Sequence, residues 1–368
     1  MIINKKQVCA LLFTLIPASK FLLLPSVYAR FAHQDAWLAG LINCLMDGLL
    51  LAAALVFIKR FKGKTFFKVI EDTSGAGFAR AIYVIYAVYF ILKAAVPVYE
   101  HKKFIVISLY ETTPSVFTFI PFFALAFYFC LKGLKVMART GEILLRFTVI
   151  GFALAIVLSI FECDLFYLLP IMKNPVNLTL NASYSGLIWY GQPLILFFLA
   201  GRIKPEKHFN ISVIASFAAA ALLCVTVYAL FTGIYGDLAP RQTYAINKMT
   251  KYSLFSANTL RFDYIVTLLL TAGSVLALAA PLAFAADCVK TAFGGIKPWI
   301  FSLSLCAAAC VTVLLTPLYF RAIIDFFEKF FTPVMAFLAY AAPVLITIFG
   351  KNRKDKKESN TYETALEK

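Results

Sequence analysis

Two stretches decide how this chain reads: Leu15-Ile16-Pro17-Ala18-Ser19-Lys20-Phe21, and Ser185-Gly186-Leu187-Ile188-Trp189-Tyr190-Gly191-Gln192-Pro193. Each lies inside an apolar run of membrane-helix character, and each holds residues that interrupt a helix. Proline lacks the amide hydrogen that a helix interior uses, and glycine loosens the backbone. Ala18 and Ser19 leave room for a neighbour to approach. Non-helical backbone at membrane depth is tolerated only where it is buried in protein or lines a cavity, so each stretch predicts a break facing the inside of a bundle.

The surroundings fix the environment. Of the 368 residues, 61% are apolar and 15% charged, with a mean hydropathy of +0.82. Soluble domains hold roughly 45–50% apolar residues with glycine included. Disordered and fibrous chains are excluded as well, which leaves an all-α membrane protein. Apolar runs give about ten transmembrane helices, near 8–30, 37–58, 78–99, 114–132, 142–161, 185–201, 211–234, 263–287, 298–320 and 330–349. A single polytopic membrane domain over 1–350 and a basic tail over 351–368 are expected. On this count the two interrupted helices are the first and sixth, equivalent members of two five-helix halves.

Charge placement orients the chain. The net charge is +16, and of 35 Lys and Arg, 22 fall on the segments that share a side with the N-terminus and 10 on the opposite side. Lys and Arg concentrate on the cytoplasmic side of membrane proteins, so both termini are expected inside, the tail with Lys351, Arg353, Lys354, Lys356 and Lys357 included. The same placement argues against a nucleic-acid partner; the partner of this surface is the lipid bilayer. The eight cysteines lie mostly in apolar runs and imply no disulfide framework. A short interfacial helix is expected in the loop 235–262, and an amphipathic piece from Ile323 to Phe331 before the last span.

Paired interruptions in corresponding helices are the sequence signature of a midplane site in secondary transporters. The expected ligand-binding residues are Pro17, Ala18, Ser19 and Lys20 from one half, and Gly186, Trp189, Tyr190, Gly191 and Gln192 from the other, with Trp189 or Tyr190 packing on the ligand. Charges inside the spans form a second set: Lys20, Asp47, Lys93, Glu142 and Arg146. Each costs roughly 2.5–3.5 kcal/mol if isolated at the bilayer centre, so partners are expected. Lys20 and Asp47 lie at comparable depth and are expected to pair or share a polar cavity. The pair serves either a ligand site, with proton coupling open to it, or a purely structural role. Lys93 is expected near the outer end, reaching for the interface, and Glu142 and Arg146, four residues apart, are expected to pair.

Catalytic patterns are missing. The sequence has no glycine-rich phosphate loop and no H-E-x-x-H, and its three histidines, His33, His101 and His208, fall in or beside expected loops. Cys306 and Cys310 share a helix face without a nearby acid or histidine and read as small packing residues. Neither an enzyme nor a metal or other cofactor is expected.

Further residues carry a resemblance. Ile3 with Gln7, Leu24-Pro25, Ala29, Ala32 and Asp35-Ala36-Trp37, then Gly133 to Ile143 with Arg139 and Glu142, and Leu168-Leu169-Pro170, resemble the B subunits of spore germinant receptors. These belong to the amino acid, polyamine and organocation transporter superfamily. The resemblance implies a LeuT-like five-plus-five inverted repeat in the spore inner membrane, a small germinant such as an amino acid as ligand, and two partners, a membrane-anchored A subunit and a lipoprotein C subunit. The chain departs from the family in having Pro17-Ala18-Ser19-Lys20 where glycine is usual, and Gln192 where many members have glutamate. A proton-coupled amino acid or amine transporter is the alternative reading of the same residues, and a partner-scaffolding subunit that has lost its ligand site is a third.

Overall fold

The computed structural model describes residues 2–108, 115–204, 206–251, 262–294, 304, 306–308, 311 and 331–351. Among these the chain is helical, and the one extended contact is an isolated bridge between Ile3 and Ile203. The first half comprises α1 (Lys5–Ala18), α2 (Leu24–Ala32), α3 (Ala36–Arg60), α4 (Phe66–Ser74), α5 (Ala76–Ser108), α6 (Ser115–Lys132) and α7 (Leu134–Ile160). The second holds α8 (Val176–Gly186), α9 (Ile195–Leu199), α10 (Phe209–Tyr235), α11 (Ala245–Lys251), α12 (Phe262–Phe293) and α13 (Thr332–Phe349), the last with a π-type turn at Phe337–Ala341. Most of the expected span 298–320, Cys310 included, most of the amphipathic piece before α13, and the tail beyond 351 lie outside the described residues. Helix α11 is the short helix expected in the loop 235–262.

Six described helices are long and apolar enough to cross a membrane. The two interrupted helices fall short because their pieces are brief: α1 has 14 residues and α8 has 11, against the 17–25 that a crossing takes. The expected all-α membrane fold with breaks in these two helices is the one observed. Helix α3 shows what the membrane does to residue placement. Leu45 and Leu49 are 63% and 73% exposed, while Asn43 and Asp47 on the opposite side are at most 1% exposed. Apolar side chains face outward toward lipid, and the polar ones are turned into the bundle.

The broken helices run antiparallel. At one end, the Ile3 amide donates to the Arg202 carbonyl at 2.7 Å and the Lys204 amide donates to the Ile3 carbonyl at 2.9 Å, placing the start of α1 beside the end of α9. At the other end α2 packs on α8. There Asp35 of the Asp-Ala-Trp element is fully buried and accepts the amides of Met172 at 2.8 Å and Asn174 at 3.5 Å, holding the loop that leads into α8. Helix α12 packs against α5, α6 and α7, and α1 lies between α7 and α10. Phe66 meets Phe57, Phe197 and Phe198 with ring centroids 5.4–5.6 Å apart and steeply inclined rings, an arrangement aromatic quadrupoles favour. This cluster fixes the short α9 against α3 and α4.

Candidate functional site

The first break follows from Pro17. Helix α1 stops one residue later, with the Ser19 amide donating to the Leu15 carbonyl at 3.3 Å and the Lys20 amide to the Pro17 carbonyl at 2.9 Å. Pro25, in the first turn of α2, restarts the helix with its ring-fixed φ. The second break is longer. After Gly186 comes one 3-10 turn, Leu187–Trp189, then extended Tyr190, then Gly191 at φ +92°, then a second 3-10 turn, Gln192–Leu194, that leads into α9. The left-handed backbone at Gly191 requires glycine, and a Cβ there would also lie 3.2 Å from Ala339 Cβ and 3.3 Å from the Tyr89 hydroxyl.

One buried network joins the two breaks. Lys20 Nζ lies 3.4 Å from Asp47 Oδ2, donates to Gln192 Oε1 at 2.8 Å, and sits 4.0 Å from the centroid of the Tyr190 ring. Asp47 Oδ1 accepts the Gly191 amide at 2.8 Å and the Tyr340 hydroxyl at 2.7 Å. Gln192 Nε2 donates to Ser19 Oγ at 2.8 Å and to the Trp189 carbonyl at 2.6 Å. Both charged groups are 1% exposed. A buried ion pair is favourable only when its remaining donors and acceptors are also satisfied, and the amide of Gly191, the phenol of Tyr340, the amide of Gln192 and the ring of Tyr190 supply that. The expected pairing of Lys20 with Asp47 is direct, and Tyr190 serves as the platform beneath the ammonium.

Three placements differ from expectation. Lys93 does not reach for the interface: α5 continues to Ser108, which puts Lys93 near its middle, where it donates to the carbonyls of Ile188 and Tyr190 in the second break. His101 is not beside a loop but buried in α5, its Nδ1 2.7 Å from the Pro97 carbonyl. Glu142 and Arg146 do not pair: neither has an ion-pair partner among the described residues, and Arg146 is exposed. An exposed pair at this spacing yields only about 0.3–0.5 kcal/mol, too little to hold two long side chains in one geometry.

Between the breaks lies a cavity of about 50 Å³, room for a few waters or one small polar group. Ser19, Trp189, Gly191 and Gln192 reach it from the breaks, Lys93 and Tyr89 from α5, and Ala280 and Phe284 from α12. Pro17, Ala18 and Gly186 stand away from it. Gly186 instead admits Tyr28, whose ring would lie 2.4 Å from a Cβ there. Lys20 and Asp47 are set off its wall, and Glu142 and Arg146 do not belong to it.

Four polar residues here escape a reading of hydropathy alone. Asn43, one turn before Asp47, donates to the Tyr28 hydroxyl and to the Ser183 carbonyl, both at 2.8 Å; a lone amide inside an apolar span was the available signal. Glu100 accepts the Trp189 indole N–H at 2.6 Å. Tyr89 and Tyr340 carried no signal in the sequence, since tyrosine occurs throughout the chain. Among the described residues no three His, Cys, Asp or Glu side chains converge as metal ligands.

Antiparallel broken helices around a buried polar network define a transporter-type membrane fold. Two crystal structures of variants of the manganese transporter of Eremococcus coleocola share it, with TM-scores of 0.55 and 0.52 at 14% identity. The matches cover 98% and 93% of this chain and 84% and 75% of those chains. Identity this low establishes the fold alone. The chain belongs to the spore germination protein family, Spore_permease, whose profile matches residues 2–321. A curated relative, spore germination protein KB of Bacillus subtilis (strain 168), is 20% identical over 249 residues, 66% of this chain and 66% of the relative. The match thus spans just under two thirds of that relative's length.

Proposed function

We propose that this chain is the membrane-embedded, germinant-sensing subunit of a spore germination receptor and takes a small nutrient, such as an amino acid, at the midplane between its two helix breaks. One observation carries the reading. The Lys20, Asp47 and Gln192 network ties both breaks together beside a cavity, so a guest that enters there alters contacts in both halves at once. The cavity admits only a small group as it stands, so a nutrient must part the walls, and that motion is the signal. Binding then shifts a two-state equilibrium of the broken helices against their scaffold, which an A subunit and a C lipoprotein would read. Membership in the germination family supports the receptor role. The assembly would sit in the spore inner membrane with both ends of this chain in the cytoplasm, as one membrane domain over 1–350 with a basic tail over 351–368.

The transporter-type fold supports a second reading, a proton-coupled amino acid or amine carrier. Uptake of a nutrient by proteoliposomes containing this chain alone favours it over the sensor. For the sensor, spores lacking this chain are tested against single nutrients, and Lys20→Met is then assayed for dose response. A shift of tenfold or more, about 1.4 kcal/mol, at unchanged protein level places Lys20 in the site. A fall in protein level with an unchanged response makes it structural and favours a scaffold without a ligand.

A further inference from the structure

The charge and hydrogen-bond inventory of the cavity selects among ligands. Asp47 is the carboxylate that holds both breaks, and it is consumed: one oxygen faces Lys20, and the other takes the Gly191 amide and the Tyr340 hydroxyl. Gln192 is likewise engaged at both ends, and Ser19 donates to the Ile16 carbonyl while it accepts from Gln192. Glu100, two turns along α5 from Lys93, is bonded to the Trp189 indole and is not on the cavity wall.

Among the described residues, the wall keeps one charged side chain, the cation Lys93. Lys93 has three N–H groups as an ammonium, and the carbonyls of Ile188 and Tyr190 take two of them. Tyr89 has no hydrogen-bond partner among the described residues, and its ring and hydroxyl border the same space. The Tyr89 hydroxyl can also accept, and the carbonyls of Lys93 and Ala277, both wall residues, have prolines at i+4, Pro97 and Pro281, with no N–H to give. Such carbonyls offer a ligand ammonium dipoles without a counter-charge, and the ammonium of Lys93 opposes it. Phe90, Phe284 and Ala277 make the rest of the wall apolar.

We propose, building on the pocket reading above, that this cavity is specific for a small carboxylate with an apolar body, anchored by Lys93 and Tyr89. Lys20 acts as a built-in cation that occupies the acidic side chain a ligand amine would otherwise use. The pocket therefore takes monocarboxylates and amino acids through their carboxylate and rejects amines.

The test uses the full chain in lipid nanodiscs and four probes of one shape: isobutyrate, valine, isobutyramide and isobutylamine, with binding read by calorimetry. Isobutyrate and valine are expected to bind at least tenfold more tightly than the amide and the amine. Lys93→Met removes that preference and Lys93→Arg retains it. Lys20→Met, which frees Asp47, is expected to bring in isobutylamine binding, a gain that only a folded protein can show. Amine or amide binding as tight as isobutyrate in the parent protein, or an undiminished carboxylate preference in Lys93→Met, overturns the proposal. Access is read separately from a cysteine placed at Ala280 and an uncharged methanethiosulfonate reagent. Labelling above the parent with none of the four probes bound overturns the carboxylate assignment alone. Neither labelling nor binding overturns the pocket reading with it.

Discussion

The two breaks are built differently. The first, between α1 and α2, uses no left-handed residue: Pro17 ends the helix, Pro25 restarts it, and the break contributes side chains, Ser19 and Lys20. The second, between α8 and α9, depends on Gly191 at φ +92° and contributes mainly backbone: the Gly191 amide to Asp47, and the carbonyls of Ile188 and Tyr190 to Lys93. One half thus brings a charge to the site, and the other brings dipoles that are held open by charges from α3 and α5. A site assembled this way loses its order if the bridging carboxylate is lost, because Asp47 holds Lys20 of the first break and the Gly191 amide of the second at once.

That contrast sets the expected order of effects. Asp47→Ala leaves Lys20 buried without its counter-charge and the Gly191 amide without an acceptor. Breaking a buried pair this way costs about 3–5 kcal/mol, so a collapse of the folded fraction is expected in thermal unfolding in detergent; Asp47→Asn, which keeps an acceptor for Gly191, should recover part of it. If Asp47→Ala unfolds no earlier than the parent, the two breaks are not coupled through this residue. Next comes Gly191→Ala, where left-handed backbone costs roughly 1–2 kcal/mol for an L-residue and the new methyl crowds Ala339 and Tyr89. A lower unfolding temperature is expected, and an unchanged one would mean that the second break relaxes without strain. Smallest is Ser19→Ala in the first break, which removes the neutral hydrogen bond from Gln192, about 0.5–1.5 kcal/mol, together with the local one to the Ile16 carbonyl. An effect larger than that of Gly191→Ala would reverse the contrast.

Much of the site was legible because its causes are local. Proline and glycine interrupt a helix wherever they stand, so Pro17 and the run from Gly186 to Pro193 announced both breaks, and the similar depth of Lys20 and Asp47 announced either a pair or a shared polar cavity, of which the structure shows the pair. Lys93 and His101 were misread for a common reason. A hydropathy reading ends α5 where Glu100, His101, Lys102 and Lys103 cluster, whereas the helix runs on to Ser108 and buries Glu100 and His101 against the rest of the bundle. Spacing likewise permitted a pair between Glu142 and Arg146 but supplied too little energy to enforce it.

The sequence by itself determined the environment, the helices and the two places where helices had to stop, since these follow from transfer free energy and from the chemistry of single residues. Only the tertiary structure decided which buried groups are already taken. Whether Asp47 faces a ligand or Lys20, and whether Lys93 faces lipid or the carbonyls of Ile188 and Tyr190, depends on which helices pack together. Hydrogen bonds act over about 3 Å, and residues as far apart in sequence as Asp47 and Tyr340 come within that range only after the bundle has closed.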